Sequence, residues 1–262
     1  MPDLHSNNAI YTLCGLLVGV LVGFTGVGGG SLMTPLLVLV FGFNPATAVG
    51  TDLLYAALTK TCGTLVHGRN ATVDWRLVGR LASGSIPAAL AMILLLRYLD
   101  HSGRGSDHLI GGMLGMALIL TAAGLLFRGY FLGRLAHRVA SLSERQIHRL
   151  TVALGLALGI LVSLTSVGAG AIGMVVLLLL YPEVPSARLV GTDIAHAVPL
   201  ALVAGLGHWY LGSIDGTLLV SLLVGSLPGI VIGSQLAAYV PDRVLRPILA
   251  TALAAVGTRL IA

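Results

Sequence analysis

Charge is nearly absent from this sequence. Asp, Glu, Lys and Arg make up 10% of its 262 residues, against about 25% in an ordinary soluble domain. So few charges cannot cover a water-facing surface, which excludes a soluble globular protein. Aromatic residues are also scarce, at 5%. Lysine occurs once, as Lys60. The two cysteines, Cys14 and Cys62, both fall inside apolar runs, which argues against a disulfide framework. No Lys or Arg occurs between Met1 and Asn8. A cleavable signal peptide is therefore not expected, and the first apolar run is expected to stay in the mature protein. Neither an ATP-binding P-loop nor a zinc HExxH motif occurs, and there is no Gly-x-Ser-x-Gly element. Transport powered by this chain's own ATP hydrolysis, zinc-protease chemistry and a nucleophile-elbow hydrolase are thus not expected.

What is present is apolar. Hydrophobic residues are 56% of the chain and the mean hydropathy is +0.96. They run in long stretches, and about 20 such residues span a bilayer. Eight apolar segments can be drawn, near 8–42, 46–67, 75–97, 107–128, 149–181, 188–210, 215–238 and 243–261. The expected fold is all-α, a polytopic transmembrane helix bundle in a cell membrane. Thirty-five glycines suit close helix crossings in lipid. The net charge of +5 comes from a few loops and fits cytoplasmic loops facing anionic lipid, so the lipid bilayer is a partner and nucleic acid is not.

Two segments, 8–42 and 149–181, are too long for one span, and glycines cut each of them. The first cut reads Thr25-Gly26-Val27-Gly28-Gly29-Gly30 and the second Thr165-Ser166-Val167-Gly168-Ala169-Gly170. Glycine is the poorest helix former after proline, so broken or hairpin helices are expected there.

The two halves repeat each other. Besides the glycine cuts, Pro45 matches Pro185, and Val49-Gly50-Thr51-Asp52 matches Val190-Gly191-Thr192-Asp193. His67 matches His208, Asp74 matches Asp215, and Gly84-Ser85-Ile86-Pro87 matches Gly225-Ser226-Leu227-Pro228. The organisation expected is a first repeat over 1–128, a basic cytoplasmic linker over 129–148, and a second repeat over 149–262. Repeats of this kind are common in secondary transporters.

Basic residues bear on orientation, since Arg-rich loops stay in the cytoplasm. If the long segments are simple spans, the repeats are parallel. If they are re-entrant, each repeat crosses an odd number of times and the repeats are inverted. Inversion keeps Arg188, Arg243 and Arg246 inside with the Arg128–Arg149 stretch, and puts the loop from Trp209 to Ser213, which has no Lys or Arg, outside. Inverted repeats are the favoured reading.

The candidate site residues follow from the breaks. A broken helix leaves backbone N–H groups unpaired along its positive end, which suits an anion. Thr25, Gly26, Gly28, Gly29, Gly30 and Ser31 form the first candidate cradle, and Thr165, Ser166, Gly168 and Gly170 the second. The competing reading is that these glycines only permit tight helix crossing. Asp52 and Asp193, each after a Gly-Thr pair (Thr51, Thr192), are ionisable groups at depth and functional candidates for proton carriage. The alternative is that Thr51 or Asp52 caps a helix start. His196 lies one turn after Asp193, so the two share a face and could form a relay; a plain interhelical hydrogen bond is the alternative. Its counterpart is Tyr55. Lys60 lies about 80° around its helix from Asp52 and could pair loosely with it or attract an anion; the favoured reading is snorkelling to the interface, and His67 and His208 are read as interfacial. No catalytic residue, metal site or cofactor is expected.

The pattern resembles the TauE/SafE family of membrane transporters, often called sulfite exporters. The resemblance rests on Gly26-Val27-Gly28-Gly29-Gly30 with Pro35, on Asn44-Pro45-Ala46-Thr47-Ala48-Val49-Gly50-Thr51, and on Val190-Gly191-Thr192 followed by Gly225-Ser226-Leu227-Pro228-Gly229. It implies a multi-pass transporter of a small sulfur-containing anion such as sulfite or a sulfonate. Ser166 and Ala169, in place of Gly26 and Gly29, depart from the fuller glycine-rich form. The rival readings are an anion channel, a membrane subunit without its own substrate, and an intramembrane enzyme built on Ser83, Ser85 and His196. The sequence assigns no oligomeric state.

Inversion makes a direct prediction. In a variant freed of Cys14 and Cys62, single cysteines placed in 69–75 and in 210–214 will react with impermeant thiol reagents from opposite sides of the membrane. Labelling from the same side would refute inversion.

Overall fold

The computed structural model describes residues 4–25, 30–69, 72–101, 107–236 and 242–261. Among them all regular structure is helical. The helices are α1 (Leu4–Thr25), α2 (Gly30–Leu39), α3 (Pro45–Arg69), α4 (Trp75–His101), α5 (Asp107–Ala140), α6 (Glu144–Thr165), α7 (Met174–Leu180), α8 (Ser186–Tyr210), α9 (Gly216–Leu236) and α10 (Asp242–Ile261). A π-helical turn, Ala169–Gly173, leads into α7. Helices satisfy their own backbone groups, which hydrocarbon cannot do. Five of them are long and apolar enough to cross a membrane.

The expected segment boundaries hold except in the middle. Much of the basic stretch 129–148 is helix: α5 continues to Ala140 and α6 starts at Glu144. Loss of hydropathy ends a membrane span, but Arg, Leu and Ala are good helix formers and carry α5 onward. Ser143 then caps α6 in a reciprocal pairing with Gln146.

Both long segments break at the glycine clusters. The first break is bounded by Thr25 and Gly30; Gly26 to Gly29 lie outside the described residues. In the second, Ser166 adopts a left-handed backbone (φ 58°) and Gly168 has φ 115°. A side chain at position 168 would be strained, so glycine is needed there to turn the chain.

After each break the chain turns back. Tyr11, near the start of α1, packs edge-on against Phe41, just past α2, with ring centroids 5.2 Å apart. At the corresponding places in the second half, Thr151 Oγ1 and Tyr181 Oη share a 2.7 Å hydrogen bond. Each segment is therefore a hairpin whose ends lie together. The return helix α2 has 10 residues, or about 15 Å of rise. That is about half of a 30 Å hydrocarbon core.

The helices pack in corresponding pairs. α1 lies along α9, α6 along α4, α3 along α8 and α5 along α10. Thr192 Oγ1 on α8 accepts from the Asp74 backbone N–H at the start of α4 (2.9 Å). Thr51 Oγ1 on α3 accepts from the Asp215 N–H at the start of α9 (3.2 Å). The entry of α8 thus lies near the exit of α3, and the two run antiparallel. Arg188 and Asp74 face each other at 3.6 Å on the same end. Asp74 and Asp215 also cap α4 and α9, accepting from the Leu77 and Leu218 amides.

Glycines set the closest seams. A Cβ built on Gly225 would strike the Thr12 carbonyl, and one on Gly84 the Val152 carbonyl. Gly15 and Gly19 meet α9 backbone from the other side, as Gly155 and Gly159 meet α4. His208, expected at the interface, is fully buried instead. It binds the Ser163 carbonyl at 2.9 Å through Nε2. Gly50 makes room for it: a Cβ there would come within 2.9 Å of the His208 Cβ.

Gly225→Leu will separate α1 from α9 and cost about 1–3 kcal/mol of stability, as overpacking does. Gly79→Ala, where an added Cβ meets nothing within 4 Å, will leave the unfolding temperature in detergent unchanged or raise it slightly. Equal effects of the two would refute the seam.

Candidate functional site

The site forms where α3 and α8 cross beside the two breaks. Asp52 is fully buried. It does not cap α3, because Asn44 does so through its Oδ1 and the Ala46 amide (2.8 Å). Asp52 Oδ2 instead accepts a 2.5 Å hydrogen bond from Thr34 Oγ1 on α2. The Ser166 hydroxyl, from the break of the second half, lies beside the same carboxyl. Neither Asp52 Oδ1 nor Ser166 Oγ has a well-formed hydrogen bond.

The second half builds a related arrangement. Asp193 is also no cap, since α8 starts at Ser186 after Pro185. Its side chain faces the π-helical turn, where a Cβ on Gly173 would come within 3.0 Å of Asp193 Oδ1. That oxygen has no hydrogen-bond partner. The position matching Thr34 is Met174, so this carboxyl lacks the hydroxyl donor its counterpart has. His196 is fully buried and pairs through Nε2 with Ser85 Oγ on α4 (2.8 Å), leaving Nδ1 unpartnered. The Tyr55 hydroxyl correspondingly lies beside Ser226 on α9.

Other candidates have local duties. Thr165 donates to the Leu161 carbonyl (2.7 Å) and accepts from the Val167 amide (3.1 Å), closing the end of α6. Thr51 and Thr192 lock α3 to α9 and α8 to α4. Gly168 starts the turn and Gly170 lies inside it; the Ile172 and Gly173 amides both bond the Gly168 carbonyl. Of the first cradle, Thr25 ends α1 and Gly30 and Ser31 begin α2. Gly26, Gly28 and Gly29, and the side chains of Thr25 and Ser31, lie outside the described residues.

Two features were underweighted from sequence. Ser85 bonds His196 and Ser226 lies beside Tyr55, and their signal was the matched Gly-Ser-x-Pro in both halves. Lys60 was read as reaching for the interface, yet it stands on the inner side of α3. It lies about 80° around the helix from Asp52, and the exposed Leu58, Thr61 and Leu65 are a further 100–160° away. Both carboxyls lie within electrostatic range, Asp193 acting more strongly than Asp52. A separate cavity of about 590 Å³ opens at the ends of α4 and α6, lined by Arg80, Glu144, Arg145, His148, Arg149 and Tyr181. It groups basic residues of both halves on one face.

This arrangement can bind and pass a small solute. Unpartnered buried polar atoms each cost about 1–3 kcal/mol. Here Asp193 Oδ1 and His196 Nδ1 have no partner, and the Ser166 hydroxyl lies beside the Asp52 carboxyl without a well-formed hydrogen bond. Among the described residues no cluster has a metal-ligand set.

The sequence model of the family described as sulfite exporter TauE/SafE matches residues 11–260. The chain belongs to the TauE/SafE family. The similarity to curated relatives extends over whole chains. The probable membrane transporter protein YjnA of Bacillus subtilis is 40% identical over 95% of this chain and 98% of its own length. YdhB of the same organism, also a probable membrane transporter, is 30% identical over 88% of this chain and 90% of its own. MJ0441 of Methanocaldococcus jannaschii, again a probable membrane transporter, is 22% identical over 78% and 73%. No solved structure matches. As a TauE/SafE protein with five helices long enough to span a bilayer, this is a multi-pass membrane transporter.

Removing the Thr34 hydroxyl by Thr34→Val will strip Asp52 of its donor and lower stability in detergent by about 1 kcal/mol. Thr59→Val, whose hydroxyl bonds only carbonyls of its own helix, will shift it less. Chemical denaturation measures both, and no difference would refute the Thr34–Asp52 bond.

Proposed function

We propose that this TauE/SafE protein is a secondary transporter of a small sulfur-containing anion, sulfite or a sulfonate, coupled to protons. The observation that carries the reading is the pair of helix breaks with unpartnered polar atoms beside them. Two returning helices aim their N-terminal ends at the interior, where their partial positive charge favours an anion. The anion sits between the breaks, held by backbone N–H groups and by hydroxyls such as Ser166. Asp52 and Asp193 carry the coupling proton, with His196 beside Asp193.

The two halves are proposed to be inverted repeats. The supporting facts are the antiparallel α3 and α8 and the two hairpins with closed ends. The Arg188–Asp74 contact adds to them, because it puts loops of both halves on one basic face. That face is cytoplasmic under the positive-inside tendency. Inversion gives each carboxyl its own membrane side, a geometry suited to alternating access by rocking.

Sulfite counterflow in proteoliposomes tests the reading. Preloaded sulfite will accelerate uptake of labelled sulfite, and a pH gradient will change the rate. Asp193→Asn will remove the response to the gradient. No exchange of sulfite or sulfonates by folded protein would overturn the substrate class. A pH-driven flux unchanged in Asp193→Asn would overturn the proton role of that residue.

A further inference from the structure

We propose that Lys60 is the countercharge of the transported anion, which pairs with this single ammonium at the centre of the antiparallel α3–α8 pair. The inference rests on the anion-transport reading above and adds the residue that would bind the charge.

The register of the two helices places Lys60. Gly50 meets His208, and Leu54 meets Gly205. Counting along α3 and backward along α8 sets Lys60 opposite Val198 and Pro199. It is then about 4 Å along the axis from His196, about 8 Å from Asp193 and about 12 Å from Asp52, at 1.5 Å per residue. The corresponding position in α8 is Ala201, which is 3% exposed. Lys60 therefore stands between two carboxyls with no matching cation from the other half. It forms no ion pair within 4.0 Å with a described carboxylate. Its side chain is half-buried and faces inward on α3.

Nearby groups are open to a ligand. Asp193 Oδ1 and His196 Nδ1 are buried without partners, and the Ser166 hydroxyl lies beside the Asp52 carboxyl without a well-formed hydrogen bond. An anion placed among two carboxyls and no cation would be repelled by both. Lys60 is the only Lys or Arg on α3 or α8 between those carboxyls, and an ammonium at that depth is by default functional. An intramembrane cation with no partner of its own matches an anion that arrives and leaves. A permanent salt bridge would hold Lys60 closed.

Exchange kinetics in proteoliposomes will separate this role from a structural one. With sulfite and methanesulfonate as probes, Lys60→Met will raise the KM for anion exchange by at least about tenfold, as loss of a buried charge partner does. Lys60→Arg keeps the charge and will stay within about threefold of wild type. Elution as a single species and an unchanged unfolding temperature will report folding independently. A wild-type KM in folded Lys60→Met, with anion exchange intact, would overturn the Lys60 role and leave the transport reading standing. Exchange of a cation or neutral solute, and of neither anion, by the wild-type protein would overturn both.

Discussion

Every polar group of the backbone must find a partner where no water can supply one. That constraint organises this protein. It makes nearly all of the described chain helical, and it confines irregular backbone to the interior. The breaks after Thr25 and Thr165 would each expose unpaired amides to lipid if they faced outward. At the second break the chain turns inside the bundle, where Thr165, Val167 and Ala169 are buried. Polar groups that hydrocarbon would penalise thereby gather in one place and become available to a solute.

Close packing keeps that interior together. Between helices in lipid the hydrophobic effect supplies no drive, since the tails are as apolar as the side chains. Glycine seams let α1 and α9, and α4 and α6, approach until backbone meets backbone. The Thr192–Asp74 and Thr51–Asp215 bonds then tie the start of one half's helix to the other half. These ties come in corresponding pairs.

The halves are not chemical equals at their centre. Thr34 has Met174 as its counterpart, Tyr55 has His196, and Lys60 has Ala201. The glycines of the packing seams match between the halves, whereas the residues facing the crossing differ in charge and hydrogen-bonding capacity.

Much was legible in the residues alone. Low charge and long apolar runs required a membrane, because no other solvent tolerates such a surface. The two glycine cuts located the breaks, since backbone entropy and missing side chains disfavour helix there. The matched Gly-Thr-Asp and Gly-Ser-x-Pro groups revealed the correspondence of the halves. Other features depended on partners distant in the chain. Sequence left open whether Asp52 caps α3, and only the fold shows Asn44 in that role and Thr34 bonded to the carboxyl. It set His208 at the interface by its place near a segment end, yet the gap beside Gly50 buries it. It sent Lys60 toward water, because snorkelling is the common fate of a lone lysine; the antiparallel crossing of α3 and α8 turned it inward. Periodicity and composition decide what each segment is, since these are local properties. Which polar atom meets which is decided by the approach of helices over a hundred residues apart, and that belongs to the tertiary structure.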